Sequence, residues 1–371
     1  MTLTTGKGTA HPRVHLPQLD GLRALAIIFV LIQHGFPEGY VVNRAMPWGA
    51  AGVRLFFVLS GFLITRILLD CRSRGERDPS QRRRSLLVFY VRRALRILPV
   101  YFFAFAAAAM LDLPGVREYW IWLATFTSNF LFAALGQWPG FINHLWTLAV
   151  EEQFYLIWPF VMVFVPRRVL IPVVLATVVS APIWRAASIQ MGHNTIATTV
   201  ITISCFDSLG LGALLAIARD ASFGSESLLS NLRRGTLFVG VPLLMIVLGL
   251  HAYGSWPVFY LIFRDLAMAL AFTAIVDRAC EGFGGWTGRF LDWRPLQYVG
   301  KISYGIYLYH RFIRGILFIL VTEGHLPPPS SYLTRFLRIA IASLIVAAIS
   351  WHVLEAPINR LKDRFPYEGR A

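Results

Sequence analysis

Ten apolar runs, near 19–37, 52–70, 94–111, 146–165, 168–185, 199–218, 235–251, 256–276, 302–321 and 334–354, constrain this chain more than anything else in it. Each is long enough to cross a bilayer as a helix, which takes about 20 residues. Lipid offers no partner to a bare peptide group, and a helix satisfies its own. The charge content agrees. Charged residues make up 15% of the 371, against about a quarter in soluble domains, too few to cover a soluble surface. A hydrophobic share of 56% excludes a disordered chain. Three cysteines in so long a chain exclude a disulfide scaffold. The fold class expected is all-α: a polytopic integral membrane helical bundle of about 10 transmembrane helices, plus one re-entrant or interfacial helix.

That last segment, 119–135, carries Thr125, Thr127, Ser128 and Asn129 and is only weakly hydrophobic. Whether it crosses decides the side on which every later loop lies. With a cytoplasmic N-terminus and 119–135 not crossing, 25 Lys and Arg fall on cytoplasmic segments and 5 outside. If it crosses, the counts become 14 inside and 16 outside. The positive-inside rule therefore favours ten spans with both termini cytoplasmic. The chain then divides into a cytoplasmic N-terminal segment, 1–18, a transmembrane domain, 19–355, and a cytoplasmic tail, 356–371. Arginines on cytoplasmic loops account for most of the net charge of +15, with membrane lipid as a partner for some of them. No nucleic-acid partner is expected, because no reader motif accompanies the charge. Cys71, Cys205 and Cys280 show no metal-binding spacing, and no metal is expected.

Ionisable residues inside a bilayer are costly and mark functional sites. Four groups qualify. Arg23 and His34 lie eleven residues apart on the first span. Eleven steps of about 100° come within about 20° of three full turns, so both side chains share one helix face, about 16 Å apart along the axis. The plain alternative is a snorkelling Arg with a His at the far interface. Arg92, Arg93 and Arg96 open the third span. Arg93 and Arg96 stand at i, i+3, where their guanidinium forks suit a phosphate, although a topology signal reads the same way. His144, Glu151 and Tyr155 fall at i, i+7 and i+11, again one face, beside Trp146, Thr147, Glu152 and Gln153. Two carboxylates in an apolar helix need partners, and a structural polar network is the alternative. Tyr304 and Tyr307 share a face of the ninth span, ahead of His310, where packing would explain the aromatics.

Other chemistries are missing. The chain has no Gly-x-Ser-x-Gly elbow, no His-Glu-x-x-His, no P-loop and no dinucleotide glycine fingerprint. Ser60-Gly61 reads as a small-residue packing site between helices, and as a nucleophile only with a base beside it. A phosphate-type Arg cluster on one side and a His and Glu deeper in suggest a two-sided reaction. A phosphorylated donor enters from the cytoplasm, and its reactive end reaches the His.

At this point the residues match a known pattern. Leu19-Asp20-Gly21-Leu22-Arg23 with His34, Phe56 through Ile64, Arg93-Ala94-Leu95-Arg96, His144 through Tyr155, Ser303-Tyr304 through His310 and the closing Glu355-Ala356-Pro357 follow one another in order. Together they resemble the membrane acyltransferase-3 family, bacterial multi-span enzymes that O-acylate glycans, glycolipids and some antibiotics. The resemblance runs nearly end to end. It implies a bacterial cytoplasmic (inner) membrane protein with acyl-CoA, most often acetyl-CoA, as co-substrate and no tightly bound cofactor. It implies His34 as catalytic base and Arg93 and Arg96 on the CoA phosphates. Two positions depart from the pattern. Cys205 stands where the family often has an Arg two residues before Asp207. Phe312 stands where a Pro often follows His310.

The function expected is O-acylation of a hydroxyl on a cell-surface glycan or glycolipid. A macrolide-type acceptor is the alternative, and a proton-coupled transporter is the competing class, though no internal repeat is found. Catalysis is expected from His34, Glu151 and Arg23, with Arg93, Arg96 and Arg23 holding acyl-CoA. Tyr155, His310, Tyr304 and Asn129 are the expected substrate contacts. Neutral His34 takes the acceptor proton, and Glu151 orients His34 or stabilises its imidazolium, as a carboxylate does in a triad.

Overall fold

The computed structural model describes residues 16–223 and 226–367. Residues 1–15 of the expected N-terminal segment and 368–371 of the tail lie outside the described residues. Among the described residues every regular element is helical. The long helices are α1 (Pro17–Gly35), α2 (Trp48–Arg77), α3 (Ser80–Met110), α4 (Leu145–Phe164), α5 (Arg167–Gln190), α6 (Phe206–Ala218), α7 (Glu226–Tyr253), α8 (Pro257–Glu281), α9 (Ser303–Thr322) and α10 (Tyr332–Ser350). Among the described residues, eight helices are long and apolar enough to cross a membrane by themselves. The two that fall short, α1 and α6, have physical reasons to do so. α1 carries Asp20, Arg23 and His34. α6 has only 13 residues, and every side chain from Asp207 to Ala218 is buried. Protein, not lipid, surrounds it, with α2, α5 and α8 packed about it.

The bundle is apolar outside and charged within. Phe103 is 57% exposed, Leu156 62% and Ile183 62%, whereas Arg54 and Arg185 are 2% and 0% exposed. Water would impose the opposite arrangement, and lipid as solvent imposes this one. The protein is therefore an all-α polytopic membrane protein, as its sequence predicts.

Local signals set the ends. Pro17 occupies the first turn of α1, where a missing N–H costs nothing. Ser331 caps α10 by accepting from the Thr334 amide at 3.1 Å. The segment 119–135 forms two short helices, Trp120–Ala124 and Ser128–Leu135, of which the longer rises about 12 Å, too little to cross. Between them Phe126 takes a positive φ of 53°, a rare conformation for a bulky residue. The buried Asp207, whose neighbouring Arg is missing from the sequence, is paired from another helix: Arg185 of α5 donates to it at 2.7 Å.

Candidate active site

Three cavities follow one another through the bundle. The first, about 700 Å³, is lined by Arg23, Arg66, Asp70, Arg93, Arg96 and Arg219. The second is a narrow waist of about 90 Å³ bounded by Phe56, Phe57, Ser60, Glu151, Glu152, Tyr155, Tyr304 and Tyr307. The third, about 770 Å³, holds His34, His144, Arg54, Arg264, Arg311, Arg314 and Arg335. Arg23, Arg93 and Arg96 border both the first cavity and the waist. Val53 and Tyr307 border both the waist and the third. The shared face of α1 runs the length of this line, with Arg23 at one end and His34 at the other.

His34 is held by a second histidine. Its Nδ1 lies 2.8 Å from His310 Nε2, and the rings stack with centroids 5.0 Å apart and 17° between planes. The other nitrogen of His310, Nδ1, lies 2.6 Å from the Tyr307 carbonyl oxygen. A carbonyl only accepts, so His310 Nδ1 carries the hydrogen and its Nε2, in the neutral ring, is the acceptor. His34 therefore donates from Nδ1 and keeps its lone pair on Nε2, for which there is no protein partner among the described residues. His144 closes the cluster. Its Nε2 donates to the Leu308 carbonyl at 3.0 Å, its ring meets His310 edge-on at 5.0 Å, and its buried Nδ1 has no partner.

The waist is a separate polar cluster. Ser60 donates a short hydrogen bond to the Glu151 carboxylate, and the Tyr155 hydroxyl donates to Ser60 Oγ at 3.2 Å. The Arg93 guanidinium stands over the Tyr155 ring, 5.4 Å from its centre. Tyr304 lines the waist and donates to the Ile97 carbonyl at 3.3 Å. Tyr307 donates to the His144 carbonyl at 3.0 Å and pairs with Thr147 at 2.6 Å. Ser60 thus has a carboxylate beside it, while Gly61, the next residue, is the packing position.

Three expectations need correction. Glu151 does not orient His34. It shares a helix face with His144 but sits seven residues down α4, about 10 Å along the axis, and bonds to Ser60 instead. His310, expected to touch substrate, is 0% exposed and stands behind His34 as its hydrogen-bond acceptor. Asn129, also expected to touch substrate, is buried away from all three cavities. Its Nδ2 donates to Thr202 Oγ1 at 3.2 Å and its Oδ1 accepts from Gln153 Nε2 at 2.9 Å, tying the helix Ser128–Leu135 to α4 and to the turn before α6. Arg92, neighbour of the phosphate-type pair, donates to the Lys362 and Phe365 carbonyls at 2.7 and 3.1 Å and fastens the tail.

The sequence reading passed over Arg54, Arg264, Arg311 and Arg314, which surround His34's cavity. The signal was available: all four lie in or beside apolar runs, where the rule that singled out Arg23 applies equally.

Residues 16–354 match the family model for acyltransferase-3, described as an acyltransferase domain. The chain is 30% identical over 371 residues to YrhL of Bacillus subtilis, covering 95% of this chain and 56% of that protein. It is 27% identical to the peptidoglycan O-acetyltransferase OatA of Listeria monocytogenes, covering 95% of this chain and 57% of the relative. It is 26% identical to the O-acetyltransferase OatA of Staphylococcus aureus, at 93% and 57%. The chain thus spans a little over half the length of the curated relatives it matches. No solved structure matches it.

Proposed function

This chain belongs to the acyltransferase-3 family, and on that premise we propose that it is a membrane O-acyltransferase that moves an acetyl group from acetyl-CoA to a glycan hydroxyl. The observation that carries this reading is the line of cavities joining Arg93 and Arg96 to the free Nε2 of His34. The CoA phosphates bind at Arg93, Arg96 and Arg23, at the end that the positive-inside rule makes cytoplasmic. The pantetheine arm threads the waist, which is too narrow for the nucleotide, between Tyr155 and Tyr304. The thioester then reaches His34.

There His34 Nε2 takes the proton of the acceptor hydroxyl while that oxygen attacks the thioester carbonyl carbon. The C–O bond forms, the C–S bond breaks, and the CoA thiolate leaves with the proton that His34 returns. During this the imidazolium keeps donating Nδ1–H to His310 Nε2, so the ring stays aimed. Peptidoglycan glycan is the first acceptor to try, because a listerial relative acts on it by name.

The test is CoA thiol release from acetyl-CoA by purified protein in detergent with solubilised glycan strands, alongside His34→Ala. Release and an acetylated glycan from the wild type alone are expected. Equal release from both proteins would remove His34 from the chemistry.

A further inference from the structure

We infer that the third cavity is an anion subsite, and that the acceptor carries a carboxylate or phosphate close to the hydroxyl that is acylated. This rests on the reading above, and it names the acceptor's chemical class. Arg311 and Arg314 stand at i, i+3 on α9, and Arg335 joins them from α10, all lining the cavity that contains His34. The other two arginines of that cavity, Arg54 and Arg264, share the single carboxylate of Asp265 at 2.7 and 2.8 Å. Among the described residues no carboxylate lies within 4.0 Å of Arg311, Arg314 or Arg335. Glu38 lines the same cavity beyond 4.0 Å of all three, acting on Arg314 only through space.

Backbone carbonyls hold the three forks in place without cancelling their charge. Arg311 donates to Gly140 at 2.9 Å, Arg314 to His34 at 3.0 Å, and Arg335 to Gly35 at 2.9 and 2.8 Å. Arg311 is only 7% exposed, and its Nε is buried with no partner at all. A buried cationic donor left open is expensive, and guanidinium forks lining one cavity suit a planar anion bound at two points. Because two of them grip the backbone of His34 and Gly35, an anion seated there places the rest of its molecule next to the base. A neutral sugar supplies nothing to these groups, and a cationic acceptor is repelled.

Three sugars with the same free 6-hydroxyl separate the cases: N-acetylglucosamine (neutral), N-acetylmuramic acid (carboxylate) and N-acetylglucosamine 1-phosphate. Full-length protein in detergent is given acetyl-CoA and each sugar, and both thiol release and product mass are read. At least one anionic sugar should show a KM about tenfold below the neutral one, the size of a charge-assisted hydrogen bond, and raised salt should shrink that ratio. The sugar that gains tells carboxylate from phosphate. Arg311→Gln and, independently, Arg335→Gln should bring the ratio toward one, with Arg311→Lys keeping part of it. Equal KM for all three sugars in the wild type overturns the subsite, as does a ratio that neither variant changes. If no sugar turns over, their stabilisation of the acetyl-CoA-loaded protein against heat is compared. Stabilisation by an anionic sugar alone supports the subsite, and none, or equal stabilisation by all, overturns it. Failure of acetyl-CoA itself to bind is a different result and counts against the function proposed above.

Discussion

The hydrogen on His310 Nδ1 decides what His34 can do. Because the Tyr307 carbonyl claims that hydrogen, His310 must accept from His34, and His34 must present Nε2. A carboxylate plays this orienting part in the hydrolase triad, and the expectation that Glu151 would do so followed that precedent. Periodicity could put Arg23 and His34 on one face, because both lie on one helix. It could not reveal His310 as partner, because that contact joins residues 276 positions apart. The consequence is measurable. His34→Ala should lose about 10²–10⁴-fold in kcat, the usual worth of a positioned base. His310→Ala should also lower kcat and leave the KM for acetyl-CoA unmoved, the pattern of a group that acts only in the transition state. His310→Gln offers an amide oxygen to His34 Nδ1 and should recover part of the loss. A His310→Ala enzyme with wild-type kcat would show that ring orientation is set elsewhere.

At the level of elements, the crossing of α2 and α6 places a sharp demand on sequence choice. A Cβ on Gly61 would lie 2.0 Å from the Leu209 oxygen, and one on Gly212 would lie 2.1 Å from the Val58 oxygen. Each glycine receives the backbone of the other helix, the small-residue packing that lets membrane helices approach closely. The sequence marked Ser60-Gly61 as such a position but could not name its partner, because that contact, with Leu209 of α6, joins distant parts of the chain. Nor could it show that Ser60 turns the other way, into the waist. Gly61→Ala and Gly212→Ala should each lower the thermal midpoint in detergent, by an overpacking cost of about 1–3 kcal/mol. Gly249→Ala, where a Cβ meets nothing within 4 Å, should not lower it. Equal midpoints for all three variants would mean that the two helices separate at no cost. The ion pairs behind this crossing show the same limit of sequence reading. Asp207 lacked a visible Arg nearby, and its partner Arg185 came from α5, 22 residues upstream.

For the whole molecule, the open matter is which end faces which side, and the chain carries its own reporter. Among the described residues, eight of the ten expected spans, their order and the short helices of the segment 119–135 were legible because lipid makes helix length and apolarity a strong signal. The sidedness argued from arginine counts is a statement about loops, whereas the proposed reaction requires it of cavities: acetyl-CoA must reach Arg93 and Arg96 from the cytoplasm. Cys71 and Cys205 are 1% and 0% exposed, while Cys280 is only partly buried and lines the first cavity with Arg66, Arg93 and Arg96. A membrane-impermeant maleimide should therefore label Cys280 in inverted vesicles and leave it untouched in intact cells, with Cys280→Ser abolishing the signal. On the function proposed, acetyl-CoA should slow the labelling, because the thiol lies on the wall of the cavity assigned to its head, and desulfo-CoA should slow it equally, because that assignment rests on the phosphates. N-acetylmuramic acid should not, because the cavity proposed for the acceptor lies beyond the waist. Labelling from the outer face would invert the bundle and with it the direction of transfer. Labelling from the cytoplasmic face that acetyl-CoA leaves unchanged would keep the topology and move the nucleotide away from Arg93 and Arg96.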